Sequence, residues 1–202
     1  NSIGFPMVLV HRTPPVSLAI PSVTVENVEI TQNLIEHLIK VHGKRHILFL
    51  RGPIYQEDSV RREVGYKAAL QANGIPFDEN LVLNGDYERN IALQAMNKFL
   101  NNGNHAEFDA VFTGDDDAAI GVLQALHQHN LKIPEKIAVI GFDDLGFAPF
   151  LNPPLTTVRA PTEAVGRIAT ERLFGLLENQ PSDEVIMLPT EIIFRRSCGC
   201  NN

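Results

Sequence analysis

The sequence has no tryptophan, and its only two cysteines, Cys198 and Cys200, lie among the last five of its 202 residues. Thiols one residue apart cannot join distant parts of a chain, so disulfide bonds cannot hold this fold together. Long apolar runs are missing too, because no stretch approaches the roughly 20 residues of a membrane-spanning helix. The fold must therefore depend on a packed core, for which 44% hydrophobic residues are sufficient.

Basic residues are also scarce relative to acidic ones. The chain has 17 Lys and Arg against 24 Asp and Glu, which gives a net charge of −7. An acidic surface repels phosphate groups, so we do not expect this chain to bind nucleic acid unaided. The first residue is Asn1 rather than methionine. We therefore expect a segment of a longer chain, and the lack of a signal peptide carries little information.

Short apolar segments alternate with amphipathic ones along most of the chain. The apolar segments are mostly continuous, as is typical of parallel strands covered on both faces; they are 7–10, 22–25, 46–50, 81–84, 110–114 and 137–142. Apolar residues recur at helical spacing in 28–42, 58–73, 88–101, 117–129 and 161–179. This order predicts an α/β fold built on doubly wound parallel sheets.

In such sheets ligands bind beyond the carboxyl ends of the strands, and polar residues follow most of the predicted strands here. The most acidic strand end is GDDD at 114–117. Converging carboxylates could hold Mg²⁺, but these three begin a helix and should point in different directions. For Asp116 and Asp117 we expect capping and favourable charge at the positive end of the helix dipole.

Motifs of catalysis and metal binding are missing. No nucleophile elbow, Walker lysine or GxGxxG accompanies the aspartates. The seven histidines show no metal-ligand spacing beyond HQH at 127–129, and the cysteines of the tail RRSCGC offer only two ligands. We therefore predict no enzyme activity, no cofactor and no metal site, and we interpret the tail as a linker.

Six segments together resemble the ligand-binding domain of the lac- and galactose-repressor family. They are HILFLRGP (46–53), SVRREVGYKAAL (59–70), VFTGDDDAAIGVLQAL (111–126), KIPEKIAVIGFDDL (132–145), PPLTTV (153–158) and IIFRRS (192–197). Those domains share their fold with periplasmic sugar-binding proteins. The resemblance runs nearly end to end and in the right order.

The resemblance implies a two-lobed clamp, each lobe a parallel sheet with helices, joined by three crossover segments. On this basis the chain lacks roughly the first third of the domain. Residues 1–25 are expected to be a partial lobe 1, residues 26–158 to form lobe 2, and residues 159–184 to return to lobe 1. Residues 185–202 are expected to supply the last strand of lobe 2 and a C-terminal linker.

The resemblance also implies which side chains bind the effector. Asp143 matches a carboxylate that accepts hydrogen bonds from effector hydroxyls, although it could instead be a cap, as could Asp144. Arg62 matches an arginine that reaches into the cleft, where its planar fork can bind paired oxygens. Asp115 stands where the family has a polar contact residue, often an amide. The alternative for Arg62 is a solvated helix face.

Three further positions are less closely matched to the family. Tyr87 sits where relatives present an aromatic ring, which can cover the flat face of a sugar or base. Glu26 and His11 mark strand ends at the lobe junction, with His11 standing where repressors commonly have aspartate. Arg159 could reach the cleft or solvent, and Gly65 suits close packing of a helix on a strand.

These expectations describe a cytoplasmic sensor domain of a bacterial transcriptional regulator, acting by closure of the lobes on a small effector. Sugars fit the predicted site first, and nucleosides or bases second. A homodimer is expected by analogy, DNA would be bound only through a domain absent from this chain, and no membrane is involved. Two alternatives remain open. The first is the same clamp fused to a signalling output such as a diguanylate cyclase or histidine kinase, which the SCGC ending favours. The second is a secreted sugar-binding protein of a transporter.

Overall fold

A computed structural model describes residues 5–103, 108–180 and 182–201, so the outermost parts of the predicted segments 1–25 and 185–202 lie outside the described residues. The helices are α1 (Val28–Lys40), α2 (Glu57–Ala72), α3 (Arg89–Asn101), α4 (Asp116–Gln128) and α5 (Thr162–Leu177). The strands are β1 (Leu9–Val10), β2 (Ser22–Val25), β3 (Ile47–Arg51), β4 (Val82–Asn84), β5 (Ala110–Thr113), β6 (Ala138–Ile140), β7 (Thr157–Arg159), β8 (Val185–Leu188) and β9 (Glu191–Ile193). Short 3₁₀ turns cover Glu79–Leu81, Ala148–Phe150 and Arg196–Cys198.

Every strand and helix predicted from the apolar pattern is present with its ends within two residues of the expected positions. The predicted α/β class with parallel sheets is confirmed. None of the described helices combines the length and the apolar character that crossing a membrane requires.

The larger sheet has the strand order β4-β3-β5-β6, and all its pairs are parallel. Its central strands β3 and β5 are apolar up to their last residue, because each side of the sheet is covered by two helices. Ile47 and Phe49 belong to the core formed with α1 and α2, whereas Leu48 and Leu50 belong to the core formed with α3 and α4. The strand order reverses between β3 and β5, which is where open α/β sheets form their ligand crevice.

The contact between α1 and α2 depends on Gly65. A Cβ atom built there would lie 2.3 Å from the carbonyl oxygen of Val28 and 2.8 Å from Cβ of Thr31. Gly65 thus permits close packing of helix on helix. Our expectation of helix-on-strand packing was wrong, since the neighbour is the first turn of α1.

The smaller sheet has the order β1-β2-β8, again parallel, and packs against α5 through Val23, Val25, Val165 and Ala169. We expected the segment 185–202 to belong to the second lobe from its first residue. Its beginning departs from that boundary because β8 pairs with β2. The next strand, β9, pairs antiparallel with β7 instead. The remaining lobe boundaries stay a prediction.

Three short segments link the smaller sheet to the rest of the structure. They follow β2 at Glu26, follow β7 at Ala160, and join β8 to β9 at Pro189–Thr190. The hydroxyl of Thr190 donates to the carbonyl oxygen of Glu26 over 3.2 Å. Two of the three links are therefore held directly together.

The C-terminal tail is folded, so its interpretation as a linker was wrong. Ser197 is fully buried, its hydroxyl donates to the carbonyl oxygen of Val139 at 2.6 Å, and its oxygen accepts the N–H of Thr156 at 2.8 Å. Cys198 is 1% exposed. The tail is thus part of the domain.

The close approach at Gly65 can be tested by substitution. Gly65→Ala should lower the free energy of unfolding by about 1–3 kcal/mol, because the new methyl group meets backbone that cannot move cheaply. The measurement is urea unfolding followed by circular dichroism.

The matched control is Gly166→Ala in α5, where a Cβ would meet nothing within 4 Å. Removing a helical glycine there should stabilise the protein by roughly 0.5–1 kcal/mol. Equal stabilisation by both substitutions would show that the α1–α2 contact tolerates a side chain.

Candidate functional site

Polar side chains from several strand ends meet at the carboxyl edge of the larger sheet. The ring of Tyr87 lies at the point where the strand order reverses. A Cβ built at Gly52, after β3, would fall 2.2 Å from Cζ of Tyr87, and one at Gly114, after β5, would fall 2.7 Å from Cε1. Two glycines therefore make room for an aromatic ring across the crevice.

Arg62 is the buried centre of this edge, with 4% of its surface exposed. Its Nε donates to Oδ1 of Asn27 at 2.9 Å, and one terminal nitrogen donates to the carbonyl oxygen of Gly114. The guanidinium carbon lies 3.6 Å from the centroid of the Phe142 ring and 5.6 Å from that of Tyr87. These contacts fix both the position and the orientation of the fork.

Asp143 faces Arg62 from the end of β6. Its Oδ1 lies 3.5 Å from the other terminal nitrogen of Arg62, and 31% of the side chain remains exposed. Its backbone N–H donates to the carbonyl oxygen of Val158 at 2.7 Å, and its φ is 104°. A carboxylate in this position is held by a buried cation and is open to a solute.

A polar chain continues from Arg62 to the smaller sheet. Asn27 is buried and donates through Nδ2 to Asp58 at 3.0 Å. The other oxygen of Asp58 lies 3.2 Å from Nδ1 of His11, which follows β1. The series His11, Asp58, Asn27, Arg62 and Asp143 thus spans both sheets.

Sequence reasoning missed Asn27 and Asp58 as parts of this site. Asn27 follows β2 by two residues, so its position at a strand end was a usable signal. Asp58 lies in the first turn of α2, where an acidic residue is common for helix-dipole reasons alone. The contact between the two joins residues 31 apart in the chain and has no local signal.

Tyr87 has a φ of 60° and a buried hydroxyl. Within the described part of the chain that hydroxyl has no partner of hydrogen-bond geometry, and Ser59 is its polar neighbour. Burial raises the pKa of the phenol, while the nearby Arg62 lowers it. The group is a neutral donor in need of an acceptor.

The three aspartates of GDDD point in three directions, as the helix start predicts. Asp115 caps α4, because its Oδ1 accepts the N–H of Ala118 at 3.1 Å. Asp116 is fully buried and accepts from the hydroxyl of Thr157 at 2.7 Å and the N–H of Leu145 at 2.9 Å. Asp117 accepts from the backbone N–H of Arg89 at 3.0 Å and from the guanidinium of Arg89 at 2.8 Å.

These contacts give the aspartates structural roles beyond charge at a helix terminus. Asp116 ties α4 to the segments around β6 and β7, and Asp117 ties it to the start of α3. Burial raises the pKa of Asp115 to about 6 and that of Asp116 to about 7. The pKa of Asp143 is also raised by burial, against the opposing effect of Arg62. The carboxyl groups do not converge on a common point.

Glu26 is engaged by α1. Its two oxygens accept the N–H groups of Val28 at 2.7 Å, Glu29 at 2.9 Å and Ile30 at 2.7 Å. The carboxylate therefore neutralises the first turn of the helix. Glu26 thus has a structural role at the start of α1, whereas its neighbour Asn27 bonds to Asp58 and Arg62.

Asp144 pairs with Arg159 instead of serving as a cap, and Arg159 remains exposed beside the crevice. Asp144 accepts from Nε of Arg159 at 2.8 Å and from the guanidinium of Arg195 at 2.7 Å. Its side chain is 7% exposed, so two cations compensate one buried charge. The cluster fastens the segment after β6 to β7 and to the C-terminal tail.

Two open pockets adjoin the polar chain at its two ends. One of about 920 Å³ is lined by Asp143, Arg159, Ala160 and the start of α5, and one of about 260 Å³ is lined by His11, Tyr55 and Asp58. A solute could enter from either side of the crevice.

The family model for the periplasmic binding protein-like domain matches residues 35–198. A sugar-binding transcriptional regulator of the LacI family from Escherichia coli, solved with phosphate, has the same fold with a TM-score of 0.81. It is 30% identical, and the alignment covers 95% of this chain and 68% of that one. This chain belongs to the LacI family of periplasmic binding protein-like domains.

Other relatives agree with this assignment. The ribose operon repressor of Escherichia coli K12 is 34% identical over 76% of this chain and 46% of its own length. A structure of the transcriptional regulator CelR in complex with cellobiose is 30% identical over 94% of this chain and 58% of that one, with a TM-score of 0.84. This LacI-family chain thus spans about half the length of curated relatives that it matches. Those relatives are transcriptional regulators, not enzymes.

The raised pKa of Asp116 predicts a pH-dependent stability that Asp116→Asn should remove. The folded state binds this proton more tightly than the unfolded chain, so the group favours folding below about pH 4 and loses that contribution as the pH rises to about 7. An amide can accept from Leu145 and donate to Thr157. Between about pH 4 and pH 7, the free energy of unfolding of the variant should therefore rise by on the order of 2–4 kcal/mol relative to that of wild type. Above about pH 7 the difference between the two proteins should stay constant.

Urea unfolding at several pH values measures this difference. Asp183→Asn is the control, because Asp183 is an exposed carboxylate. A difference between Asp116→Asn and wild type that does not change with pH would show that Asp116 is ionised throughout.

Proposed function

We propose that this chain is the effector-binding domain of a LacI-type transcriptional regulator, and that its effector is a small polyhydroxylated molecule, a sugar first of all. The observation that carries the proposal is the Asp143 carboxylate, exposed at the crevice and held by the buried Arg62. Nucleosides or bases are the second class of effector that this site would suit.

The chemistry of the site favours a neutral ligand with vicinal hydroxyls. Asp143 can accept two hydroxyl hydrogens, and Arg62, once drawn toward a ligand, can donate to ring or hydroxyl oxygens. The ring of Tyr87 offers an apolar face, and its hydroxyl needs an acceptor. An anionic ligand would meet Asp143, Asp115 and Asp58 and would be repelled.

Closure of the two sheets around the effector would be the signal. The polar chain from His11 to Asp143 has members on both sides of the crevice, so a ligand that contacts both ends favours the arrangement in which they are close. A ligand can shift such an equilibrium only by its difference in affinity for the two states. The proposed effector site keeps His11 as a contact residue and includes Asn27 in place of Glu26.

The parts of the proposal that concern the whole protein rest on its relatives. A regulator of this kind would work in the cytoplasm as a homodimer, bind DNA through a region other than this chain, and perform no catalysis. The acidic net charge of −7 is consistent with leaving DNA binding to another region.

Ligand-induced stabilisation tests the effector class. A matching sugar at 100 times its dissociation constant adds about 2.7 kcal/mol to the free energy of unfolding. This should raise the melting temperature by several degrees, at roughly 2–4 °C per kcal/mol for a domain of this size. The panel is pentoses, hexoses, cellobiose, nucleosides and free bases, followed by calorimetric titration of any that raise the melting temperature.

Asp143→Asn separates the proposed contact from general binding. Loss of a hydrogen bond to a charged group should weaken effector binding by about 1.5–3 kcal/mol, which is at least tenfold in the dissociation constant. The free energy of unfolding of the free protein should fall by much less. Asp183→Asn, an exposed carboxylate that precedes β8 and does not follow a strand, should bind as wild type does. Unchanged affinity in Asp143→Asn, or a panel without a single response among sugars and nucleosides, contradicts the proposal.

A further inference from the structure

Four potential metal ligands converge at the end of the molecule opposite the crevice. They are His37, in the last turn of α1, His42, just beyond it, and the two cysteines of the tail, Cys198 and Cys200. Their ligand atoms all lie within 4.8 Å of one another. We expected the two cysteines to offer the only ligands at the tail, and that expectation was wrong, because His37 and His42 lie beside them. The pairing of a histidine with a cysteine 161 residues away carries no local signal.

The spacing of the ligand atoms of His37, His42 and Cys200 matches a tetrahedral zinc site, and Cys198 lies slightly farther out. The two Nε2 atoms are 3.1 Å apart, and Sγ of Cys200 lies 3.4 Å from Nε2 of His37 and 3.5 Å from that of His42. Sγ of Cys198 lies 4.0 Å from Nε2 of His37. Zinc with ordinary Zn–S and Zn–N bonds at tetrahedral angles requires about 3.6 Å between sulfur and nitrogen and about 3.3 Å between nitrogens.

The surroundings orient these groups. Gly199 has a φ of 110°, and a Cβ there would lie 3.0 Å from Nδ1 of His42, so glycine allows both cysteines to face the histidines. The hydroxyl of Thr156 lies 3.1 Å from Sγ of Cys198. The ring of Phe194 packs on His37 with centroids 4.3 Å apart. The positions are fixed by packing on three sides.

The ligand set suits a cation with two charges, because imidazole nitrogen and thiolate sulfur are the usual ligands of structural zinc. On binding a divalent cation each thiol releases one proton to water, and two thiolates then balance the cation. Without a cation, two neighbouring thiolates in a half-buried site would repel each other.

We propose that His37, His42, Cys198 and Cys200 form a structural Zn²⁺ site that fastens the C-terminal tail to α1. Four protein ligands complete a tetrahedron and leave no open position for a substrate, which is the arrangement of structural zinc. The site lies at the end of α1 away from Glu26 and Asn27, about 20 Å distant for a helix of 13 residues. It is thus separate from the effector crevice and independent of the proposed function.

Metal analysis and cobalt substitution test the site on the intact protein, purified with a reductant and without chelator. We expect one equivalent of zinc by mass spectrometry of the metal. Replacement by Co²⁺ should give the intense visible bands of tetrahedral cobalt and a near-ultraviolet sulfur-to-cobalt charge-transfer band. Chelation should lower the melting temperature, and added Zn²⁺ should restore it.

Two variants assign the ligands. Cys200→Ser should weaken zinc binding by more than about 100-fold, since losing even a group that only hydrogen-bonds to a metal ligand costs about 10–100-fold, and should diminish the charge-transfer band. His42→Gln should weaken binding similarly while retaining that band, which guards against a loss caused by misfolding of the cysteine variant. His127→Gln, an exposed histidine on α4, is the control and should bind as wild type does.

Three results would overturn the proposal. The first is a reduced protein that neither retains zinc nor gives a tetrahedral cobalt spectrum. The second is an unchanged cobalt spectrum in both Cys200→Ser and His42→Gln. The third is a Cys198–Cys200 disulfide, detected as the loss of two hydrogens in the protein mass, that persists as the native form and leaves the reduced protein unable to bind metal.

Discussion

The buried guanidinium of Arg62 organises the crevice. A charge with 4% exposure has lost most of its hydration, and its burial is tolerable only because the surrounding groups replace the water. The replacements come from the end of β2 through Asn27, the end of β5 through the carbonyl of Gly114, and the end of β6 through Asp143. Moving any one of these strand ends would leave an uncompensated cation. The edge of the larger sheet is therefore defined by an electrostatic requirement as much as by apolar packing.

Much of the fold was predictable because its signals are local. Continuous apolar strands such as 47–51 arise where both faces of the sheet are covered, and periodic apolar residues mark each helix. Side-chain roles were less accessible. Asp116 and Asp117 look alike in sequence, yet one binds Thr157 and Leu145 while the other binds Arg89. The partner of each aspartate depends on the strand order and on the separation of α3 from α4. The local sequence pattern predicts neither of these.

The difference between local signals and long-range contacts also explains the wrong predictions at the C terminus. β8 is a short strand with alternate residues exposed, and its partner could have been an edge of either sheet. The tail looked polar and glycine-containing, which is typical of a linker. Its burial follows from contacts with Val139, Thr156 and Pro154, all about 40 or more residues away. Long-range pairing of this kind can be read from a structure or from known relatives, and a single sequence does not contain it in recognisable form.

The three links between the smaller sheet and the rest of the chain limit how the molecule can change shape. Sliding one part over the other would stretch all three links and strain the hydrogen bond from Thr190 to Glu26. Rotation about a line through the links would leave their lengths unchanged. The closure that we propose would thus have essentially one coordinate, an angle. Ligands of different sizes would then stabilise different angles between the two parts. This one angle could distinguish chemically different molecules.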